Sequence, residues 1–248
     1  MLTDILQLMK AQLLYRDFAR YYDLLYSFKD YEKESRKVIM LIKKYKKSDG
    51  NELLEVACGT GKHLESFRKH FKSMGIDMNK GILDVARQRL KDVDFKKANM
   101  VDMNLGKQFD VITCLFSSIG YVKTYKNLQK TLDSFSSHLK PGGVVIIEPW
   151  FTKESYNVDT PHMATYDSPE IKIARLNVSS ANGNISIMEM HYLVAEKGKE
   201  VTYFKDRHEL GMFGIDKTLE FMKQSGLRTK YLKNGLMKDR GLLIGVKS

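Results

Sequence analysis

An acid followed by a glycine-rich turn is the most informative chemical pattern in the sequence. The run 53–61, LLEVACGTG, is typical of a buried strand that ends in a tight turn. Glu55 stands four residues before Gly59, and its carboxylate would repel a phosphate but suits an amine or a hydroxyl. A dinucleotide-binding fingerprint would require a small residue at the position that Leu64 occupies. The pattern therefore predicts an amine or hydroxyl ligand rather than a diphosphate cradle.

A second acid and an amide follow at the ends of the next two predicted strands. Asp77 lies 22 residues after Glu55, the spacing at which an acid at the tip of a second strand binds ribose hydroxyls. Asn99 and Met100 follow a third strand and offer a polar group and a flexible apolar side chain to the edge and face of adenine. Together these strand ends predict a site for a nucleoside that carries a charged amine and no phosphate.

Short apolar runs alternate with helical periods between residues 52 and 148, after a helical N-terminal segment. Such alternation predicts a parallel sheet covered on both faces. From residue 152 to 211, three β-type runs, two of them joined at Asn182-Gly183, predict an antiparallel insertion. We therefore divide the chain into a main domain of residues 1–151 and 212–248, with the N-terminal helices as a cap, and an insertion of residues 152–211.

The composition is that of an ordinary globular protein with a large positive charge. Apolar residues make up 43% and charged residues 29% of the 248 residues, which excludes disordered, collagen-like and coiled-coil classes. A formal charge of +11 admits nucleic acid, a membrane surface or an anionic metabolite as a partner. The two cysteines are too few for a disulfide framework, and with no signal peptide or membrane span predicted they favour a cytoplasmic protein.

Four motifs occur in the order found in class I S-adenosylmethionine-dependent methyltransferases, which the sequence resembles. They are the glycine motif with Glu55, the acid of Gly75-Ile76-Asp77, the run 109–112 and the run 139–143. The resemblance implies a Rossmann-like sheet of seven strands, mostly parallel, in the order 3-2-1-4-5-7-6 with the last strand antiparallel. It also implies that S-adenosylmethionine is the cofactor and S-adenosylhomocysteine the product. The cofactor contacts it implies are Tyr22, Glu55, Ala57, Gly59, Gly61, Asp77, Met78, Asn99, Met100 and Leu115.

Further motifs are similar to those of the N,N-dimethyltransferases of nucleotide-linked amino sugars of the desosamine and mycaminose type. These motifs are the runs 56–64, 116–121, 148–150 and 240–242. The resemblance implies N-methylation of a nucleoside-diphosphate-linked (dTDP) amino sugar by a homodimer, with the insertion serving substrate binding or dimerisation. Phe151 stands where a second tryptophan is usual, and the run 236–239 replaces a run of small residues, so the identity of the sugar stays open.

The candidate catalytic residues are those that could orient or deprotonate an amine. Methyl transfer from sulfonium to nitrogen is an in-line displacement that depends mainly on positioning, and the amine must first lose its proton. Tyr121 and Tyr15 could orient or deprotonate it, and Glu148 could hold the ammonium or a sugar hydroxyl. Arg240 is the candidate for the diphosphate. The other predicted substrate contacts are Trp150, Phe151, Ser179 and His191.

Three alternatives remain open at this stage. A methyltransferase acting on another small amine has the same cofactor motifs. An RNA or tRNA methyltransferase would use the positive charge, but no appended RNA-binding module is recognisable. A non-catalytic S-adenosylmethionine-binding protein would have no need of the intact glycine loop and both acids. The six histidines show no metal-ligand spacing and are interpreted as surface or strand residues, with His191 and His208 kept as substrate candidates, so no metal is expected.

Overall fold

A computed structural model describes Leu14 and residues 19–237 and 239–248, and its main feature is a seven-stranded sheet. The strand order is β3-β2-β1-β4-β5-β11-β10. Every neighbouring pair is parallel except the two that involve β11, which is antiparallel to β5 and β10. This is the predicted order 3-2-1-4-5-7-6, which is thereby confirmed. The strands are β1 (Glu52–Val56), β2 (Lys72–Asp77), β3 (Asp94–Lys97), β4 (Phe109–Cys114), β5 (Leu139–Ile147), β10 (Leu227–Leu232) and β11 (Leu242–Lys247).

Helices cover both faces of this sheet. Successive residues of its buried strands point to opposite sides, so each face has its own set of apolar side chains. On one face Leu54, Ile112 and Val145 pack against α5 and α6. On the other face Leu53 and Val111 pack against α2, α3 and α4. The helices are α1 (Ala19–Leu25), α2 (Tyr31–Tyr45), α3 (Leu64–Phe67), α4 (Lys80–Arg89), α5 (Tyr125–Ser137) and α6 (Ile215–Gln224), with a 3-10 helix at Ser118–Val122. None of the helices in the described part of the chain could cross a membrane.

The start of α2 is specified by its sequence. The Asp30 side chain accepts a hydrogen bond from the Lys33 backbone N–H at 2.9 Å, as an N-cap does. Acids occupy the first turn of the helix and lysines its last turn, and both arrangements are favourable to the helix dipole. The cap therefore sets the point at which α2 begins.

The insertion forms a separate antiparallel sheet in the order β6-β7-β8-β9. Its strands are β6 (Pro161–Asp167), β7 (Ile171–Asn182), β8 (Ile185–Glu196) and β9 (Thr202–Gly211). The predicted hairpin is confirmed, since Asn182 pairs with Ile185 across a two-residue loop. One face of the sheet, the inner face, packs Tyr192 and Phe204 against Tyr21 of α1. The opposite, outer face exposes Met163, Leu176, Val178, Leu193 and Tyr203.

Candidate active site

The candidate site lies at the carboxyl ends of β1, β2, β4 and β5. In a sheet of this order the crevice opens where the strand order reverses, between β1 and β4. The glycine turn follows β1, Asp77 ends β2, Phe116 follows β4 and Glu148 follows β5. The inner face of the insertion sheet contributes to the same region, because the 3-10 helix after β4 packs on β9: a Cβ on Gly120 would lie 3.0 Å from the Leu210 side chain.

The glycine turn adopts a backbone that most side chains disfavour. Gly59 and Gly61 have φ angles of 56° and 79°, in the left-handed region that glycine enters without steric cost. Ala57 also has a positive φ, 54°, and such strain in a residue with a side chain is typical of functional turns. The Cys58 N–H donates to the Ile76 carbonyl at 2.9 Å, which ties the turn to β2.

Asp77 is held by two backbone donors. Its Oδ2 accepts from the Gly59 N–H at 3.1 Å and its Oδ1 from the Asn79 N–H at 2.9 Å. Burial raises the pKa of Asp77, and these donors act in the opposite direction. Each carboxylate oxygen has a second lone pair, so the fixed carboxylate can still accept from ribose hydroxyls.

The other residues predicted to contact the cofactor, with Asn99 and Met100 predicted for adenine, lie at the same strand ends. Met78 is 56% exposed beside Asp77, whereas Met100 is buried. The Asn99 Oδ1 accepts from the Val101 N–H at 3.1 Å, which fixes the amide and leaves its NH₂ group as the donor. Leu115 is buried at the end of β4. These side chains are suited to an adenine edge and face.

Glu55 is buried, with only 2% of its surface exposed. Its Oε1 lies 3.3 Å from Nδ1 of His63, while its Oε2 has no hydrogen-bond partner among the described residues. Burial raises the pKa of Glu55, and His63 lowers it. An unpartnered carboxylate oxygen in a buried site is costly unless a ligand satisfies it, and a cationic group such as the ammonium of S-adenosylmethionine fits this requirement.

A strained turn after β4 organises the other side of the cleft. Phe116 and Ser117 are consecutive left-handed residues with φ angles of 51° and 62°. The Phe116 N–H donates to the Glu148 Oε2 at 2.7 Å, and the Ser117 hydroxyl donates to the Pro149 carbonyl at 2.8 Å. Both hydrogen bonds join the turn to the end of β5, and they hold a backbone that would otherwise relax.

Glu148 and Arg240 form the charged centre of this side. Glu148 is fully buried, and its Oε1 has no hydrogen-bond partner among the described residues. Burial raises its pKa, while the positive charges of Arg240 and Lys29 lower it. Arg240 donates from Nη1 to the Ser117 Oγ at 2.7 Å, and its Nε lacks a hydrogen-bond partner in the described structure. A carboxylate and a guanidinium thus both offer unused hydrogen-bonding capacity.

Aromatic rings support Arg240. Its guanidinium carbon lies 4.9 Å from the Trp150 ring centroid and 4.8 Å from that of Phe151, within the range of cation–π attraction. The Trp150 Nε1 donates to the Ser186 hydroxyl of β8 at 2.8 Å. Ser179 is buried on the inner face of β7. The end of β5 and the insertion therefore meet beside Arg240.

Tyr121 is paired with a histidine from the insertion. Its hydroxyl lies 2.8 Å from Nδ1 of His208 on β9. Burial, with a smaller contribution from Arg175, lowers the pKa of His208 to about 4, so the imidazole is neutral at pH 7. Burial raises the pKa of Tyr22 well above its ordinary value, and the nearby Tyr121 adds to this increase. Tyr121, His208 and Tyr22 therefore belong to one neighbourhood.

One predicted residue, His191, is not brought to this cleft. His191 lies on the outer face of β8, opposite to Tyr192, where its Nδ1 is 2.8 Å from the Tyr203 hydroxyl. Side chains alternate along a strand, and the even-numbered positions of β8 are the ones that face inward. Tyr15 lies outside the described residues.

Sequence reasoning missed three charged residues that the fold assembles beside Glu55. His63, interpreted as a surface or strand residue, is buried between two carboxylates, those of Glu34 and Glu55. Its place within the glycine motif was the available signal. Lys29 precedes α2 and Glu34 lies in its first turn, and nothing in their local sequence indicates a partner in the glycine turn.

Comparison with known proteins assigns the family. A methyltransferase domain matches residues 53–143. The dTDP-3-amino-3,4,6-trideoxy-alpha-D-glucopyranose N,N-dimethyltransferase of Streptomyces venezuelae is 37% identical over 233 residues, covering 93% of this chain and 98% of that relative. The dTDP-4-amino-2,3,4,6-tetradeoxy-D-glucose N,N-dimethyltransferase of Saccharopolyspora spinosa is 32% identical over 235 residues, covering 94% of this chain and 93% of the relative.

Two solved structures resemble almost the whole chain. The crystal structure of Streptomyces venezuelae DesVI superimposes with a TM-score of 0.88 at 36% identity, covering 93% of this chain and 98% of that one. S-adenosylmethionine-bound CalS10, an amino pentose methyltransferase from Micromonospora echinaspora, gives 0.82 at 27% identity and covers 94% and 97%. The family and the fold predicted from sequence are confirmed. This chain belongs to the dTDP-amino-sugar N,N-dimethyltransferases, a family of S-adenosylmethionine-dependent methyltransferases.

Proposed function

We propose that this enzyme transfers a methyl group from S-adenosylmethionine to the amino nitrogen of a nucleoside-diphosphate-linked amino sugar. The main support is that Glu148 and Arg240 both contact the turn at Phe116 and Ser117, in one wall of the cleft. Each has a buried polar atom without a hydrogen-bond partner among the described residues. Such atoms are expected to be satisfied by a ligand, and a substrate with both an ammonium and a diphosphate supplies the two complementary groups.

The cofactor side would be formed by the turn after β1 and the ends of β2 and β3. Glu55 would hold the methionyl ammonium, with Ala57, Gly59 and Gly61 allowing close approach of the backbone, and Asp77 would bind the ribose hydroxyls. When bound, S-adenosylmethionine supplies the electrophilic methyl group. The adenine and the remaining cofactor contacts would come from Tyr22, Met78, Asn99, Met100 and Leu115.

The substrate side would be formed by the end of β5, Arg240 and the insertion. Arg240 would bind the diphosphate through the N–H groups that Ser117 does not use. Trp150 and Phe151 contact its guanidinium at cation–π distance and would line the sugar together with Ser179. We propose that residues 1–151 and 212–248 act as the cofactor-binding domain, and that residues 152–211 act as the substrate and dimerisation sub-domain.

Two side chains would prepare the amine for attack. Tyr121 would orient the nitrogen lone pair, since the pKa of its partner His208 is about 4 and a base that weak accepts a proton poorly at pH 7. The Glu148 Oε1 would accept the ammonium proton, because this oxygen has no hydrogen-bond partner among the described residues and burial raises the pKa of the carboxylate. Positioning would provide most of the acceleration. Tyr15, outside the described residues, remains a further candidate.

We also propose that the enzyme is a cytoplasmic homodimer assembled through the outer face of the insertion sheet. Met163, Leu176, Val178, Leu193 and Tyr203 of that face are about half or more exposed, and a group of exposed apolar side chains on one face is typical of an interface. The two described cysteines are free and buried, as in proteins of a reducing compartment. Light scattering of a Leu193→Lys variant tests the dimer: a monomer is expected, and an unchanged mass would contradict this interface.

A methyl-transfer assay tests the reaction. The enzyme is incubated with S-adenosylmethionine labelled in the methyl group and with a dTDP-linked 3-amino sugar, its 4-amino counterpart, free amino acids or tRNA. We expect label in a dTDP-amino sugar, and mass spectrometry then distinguishes one added methyl group from two. Label in tRNA alone, or in free amino acids alone, would refute the proposed substrate class.

A further inference from the structure

Four charged side chains form a chain of contacts from the N-terminal helices to the glycine turn. The Lys29 Nζ lies 2.7 Å from the Glu34 Oε1, and the Glu34 Oε2 lies 2.9 Å from Nε2 of His63. Nδ1 of His63 lies 3.3 Å from the Glu55 Oε1. Lys29 is only 9% exposed and His63 6%. Buried charges are retained where they are paired in this way, so the four groups are best understood as one unit.

The geometry defines the charge of His63. Each of its ring nitrogens faces a carboxylate oxygen, and only the imidazolium form donates from both nitrogens. The imidazole ring also lies near Tyr31 and Phe67, at 5.0 Å and 6.0 Å between ring centroids. Burial alone would lower the pKa of His63, but Glu34 and Glu55 outweigh it and raise the pKa to about 9. Two cations thus balance two carboxylates.

The contact with His63 constrains Glu55 in two ways. Because Oε1 forms an ion pair with the imidazolium, the carboxylate cannot rotate freely, and Oε2 remains the oxygen without a hydrogen-bond partner in the described structure. The positive charge also favours the ionised carboxylate against the burial that raises its pKa. Without His63, Glu55 would be both less ionised and less fixed.

The Lys29 and Glu34 end of this series of charged contacts belongs to a different part of the fold. Glu34 lies in the first turn of α2, and Lys29 precedes that helix. The Lys29 Nζ also lies 4.1 Å above the Phe116 ring, next to the turn whose N–H binds Glu148. His63 therefore receives its orientation from the N-terminal helices as well as from β1.

We propose that His63 is a positioning residue which, clamped between Glu34 and Glu55, holds the Glu55 carboxylate for the ammonium group of S-adenosylmethionine. This rests on the cofactor assignment of the proposed function but not on the amino-sugar substrate. Glu34 and Lys29 hold His63 in turn. The N-terminal helices therefore contribute to cofactor affinity indirectly, through their contact with His63.

The test compares two cofactor fragments by calorimetry. S-adenosylhomocysteine has the amino-acid ammonium, whereas 5′-methylthioadenosine has the adenosine and sulfur but lacks it. For His63→Gln we expect the affinity for S-adenosylhomocysteine to fall about tenfold or more, as loss of support for a charged hydrogen bond implies. Affinity for 5′-methylthioadenosine should stay within about twofold of the original. His70→Gln, which alters an exposed histidine, is the matched control and should change neither affinity.

Two outcomes would overturn the proposal. Equal losses for both ligands would mean that His63 supports the fold of the turn in general, and an unchanged affinity for S-adenosylhomocysteine would mean that Glu55 needs no such support. If His63→Gln fails to fold, Glu34→Gln provides the same comparison, with a smaller loss again confined to S-adenosylhomocysteine. Neither ligand contains a sugar substrate, so failure of the amino-sugar assignment would be seen separately in the methyl-transfer assay.

Discussion

The two sides of the cleft each contain a buried carboxylate, and they compensate it in different ways. Glu55 is paired with His63, eight residues further along the same β1–turn–α3 segment. Glu148 instead receives a backbone N–H from the strained turn after β4 and the charge of Arg240 from near the end of the sequence. The cofactor side is thus mainly a local construction, whereas the substrate side is assembled from segments that are far apart in sequence.

This difference suggests that the two sides respond independently to substitution. Residues that are more than about 7–10 Å apart and share no partner usually have additive effects. Lys29 approaches both sides, through Glu34 on one side and the Phe116 ring on the other. Variants that alter one side and leave the other intact therefore test whether the two sides are independent.

The largest effect is expected from Asp77→Ala. This change removes a carboxylate that accepts two backbone N–H groups and is assigned to the ribose. The affinity for S-adenosylmethionine should fall about 100-fold or more, equivalent to roughly 3 kcal/mol, as measured by calorimetry. Asp94→Ala, at the exposed start of β3, is the control. An unchanged affinity for Asp77→Ala would show that the ribose assignment is wrong.

Arg240→Met should impair the substrate side and leave the cofactor side unchanged. The guanidinium is assigned to the diphosphate, so kcat/KM for the nucleotide-linked substrate should fall roughly 10- to 100-fold, as expected for loss of a charge-assisted contact. Calorimetry should give an unchanged affinity for S-adenosylmethionine. Arg240→Lys keeps the charge but loses the planar fork, and should recover part of the activity. If the cofactor affinity fell as much as kcat/KM, the two sides would not be independent.

The stability that His63 contributes on the cofactor side should depend on pH. The folded-state pKa of His63 is raised from 6.5 to about 9, so its stabilisation is fully present below pH 6.5 and is lost as the pH rises through 9. The difference in free energy of unfolding between the original enzyme and His63→Gln should shrink by roughly 1–3 kcal/mol between pH 6 and pH 10. Urea unfolding at the two pH values measures it, and a constant difference would mean that folding does not raise the pKa of His63.

The smallest effect is expected from Tyr121→Phe, which removes the hydroxyl paired with His208. Because the hydroxyl is proposed to orient the amine rather than to bind cofactor, turnover should fall about tenfold with little change in affinity for S-adenosylmethionine. Single-turnover kinetics separates the chemical step from product release. A fully active variant would leave Tyr121 with a packing role.

The same contrast explains what the sequence could predict. The glycine turn, Glu55, Asp77 and the order of the main sheet follow from periodicity and spacing within short segments or from motifs recognised in order. The contact between Lys29, Glu34 and His63 joins two segments through tertiary packing, and no local pattern indicates it. His191 shows a related limit. Alternation divides β8 into two faces, but which face meets α1 depends on how the insertion docks.

The position of Arg240 near the end of the sequence also has a consequence for how the enzyme is made. During translation, the four residues Lys29, Glu34, Glu55 and His63 are synthesised early. Asp77 follows soon after them. The turn at Phe116 and Ser117 then emerges without the guanidinium that later hydrogen-bonds the Ser117 hydroxyl. A nascent chain released before residue 240 would contain every proposed cofactor-binding residue but would lack the proposed diphosphate ligand and the cation that lowers the pKa of Glu148.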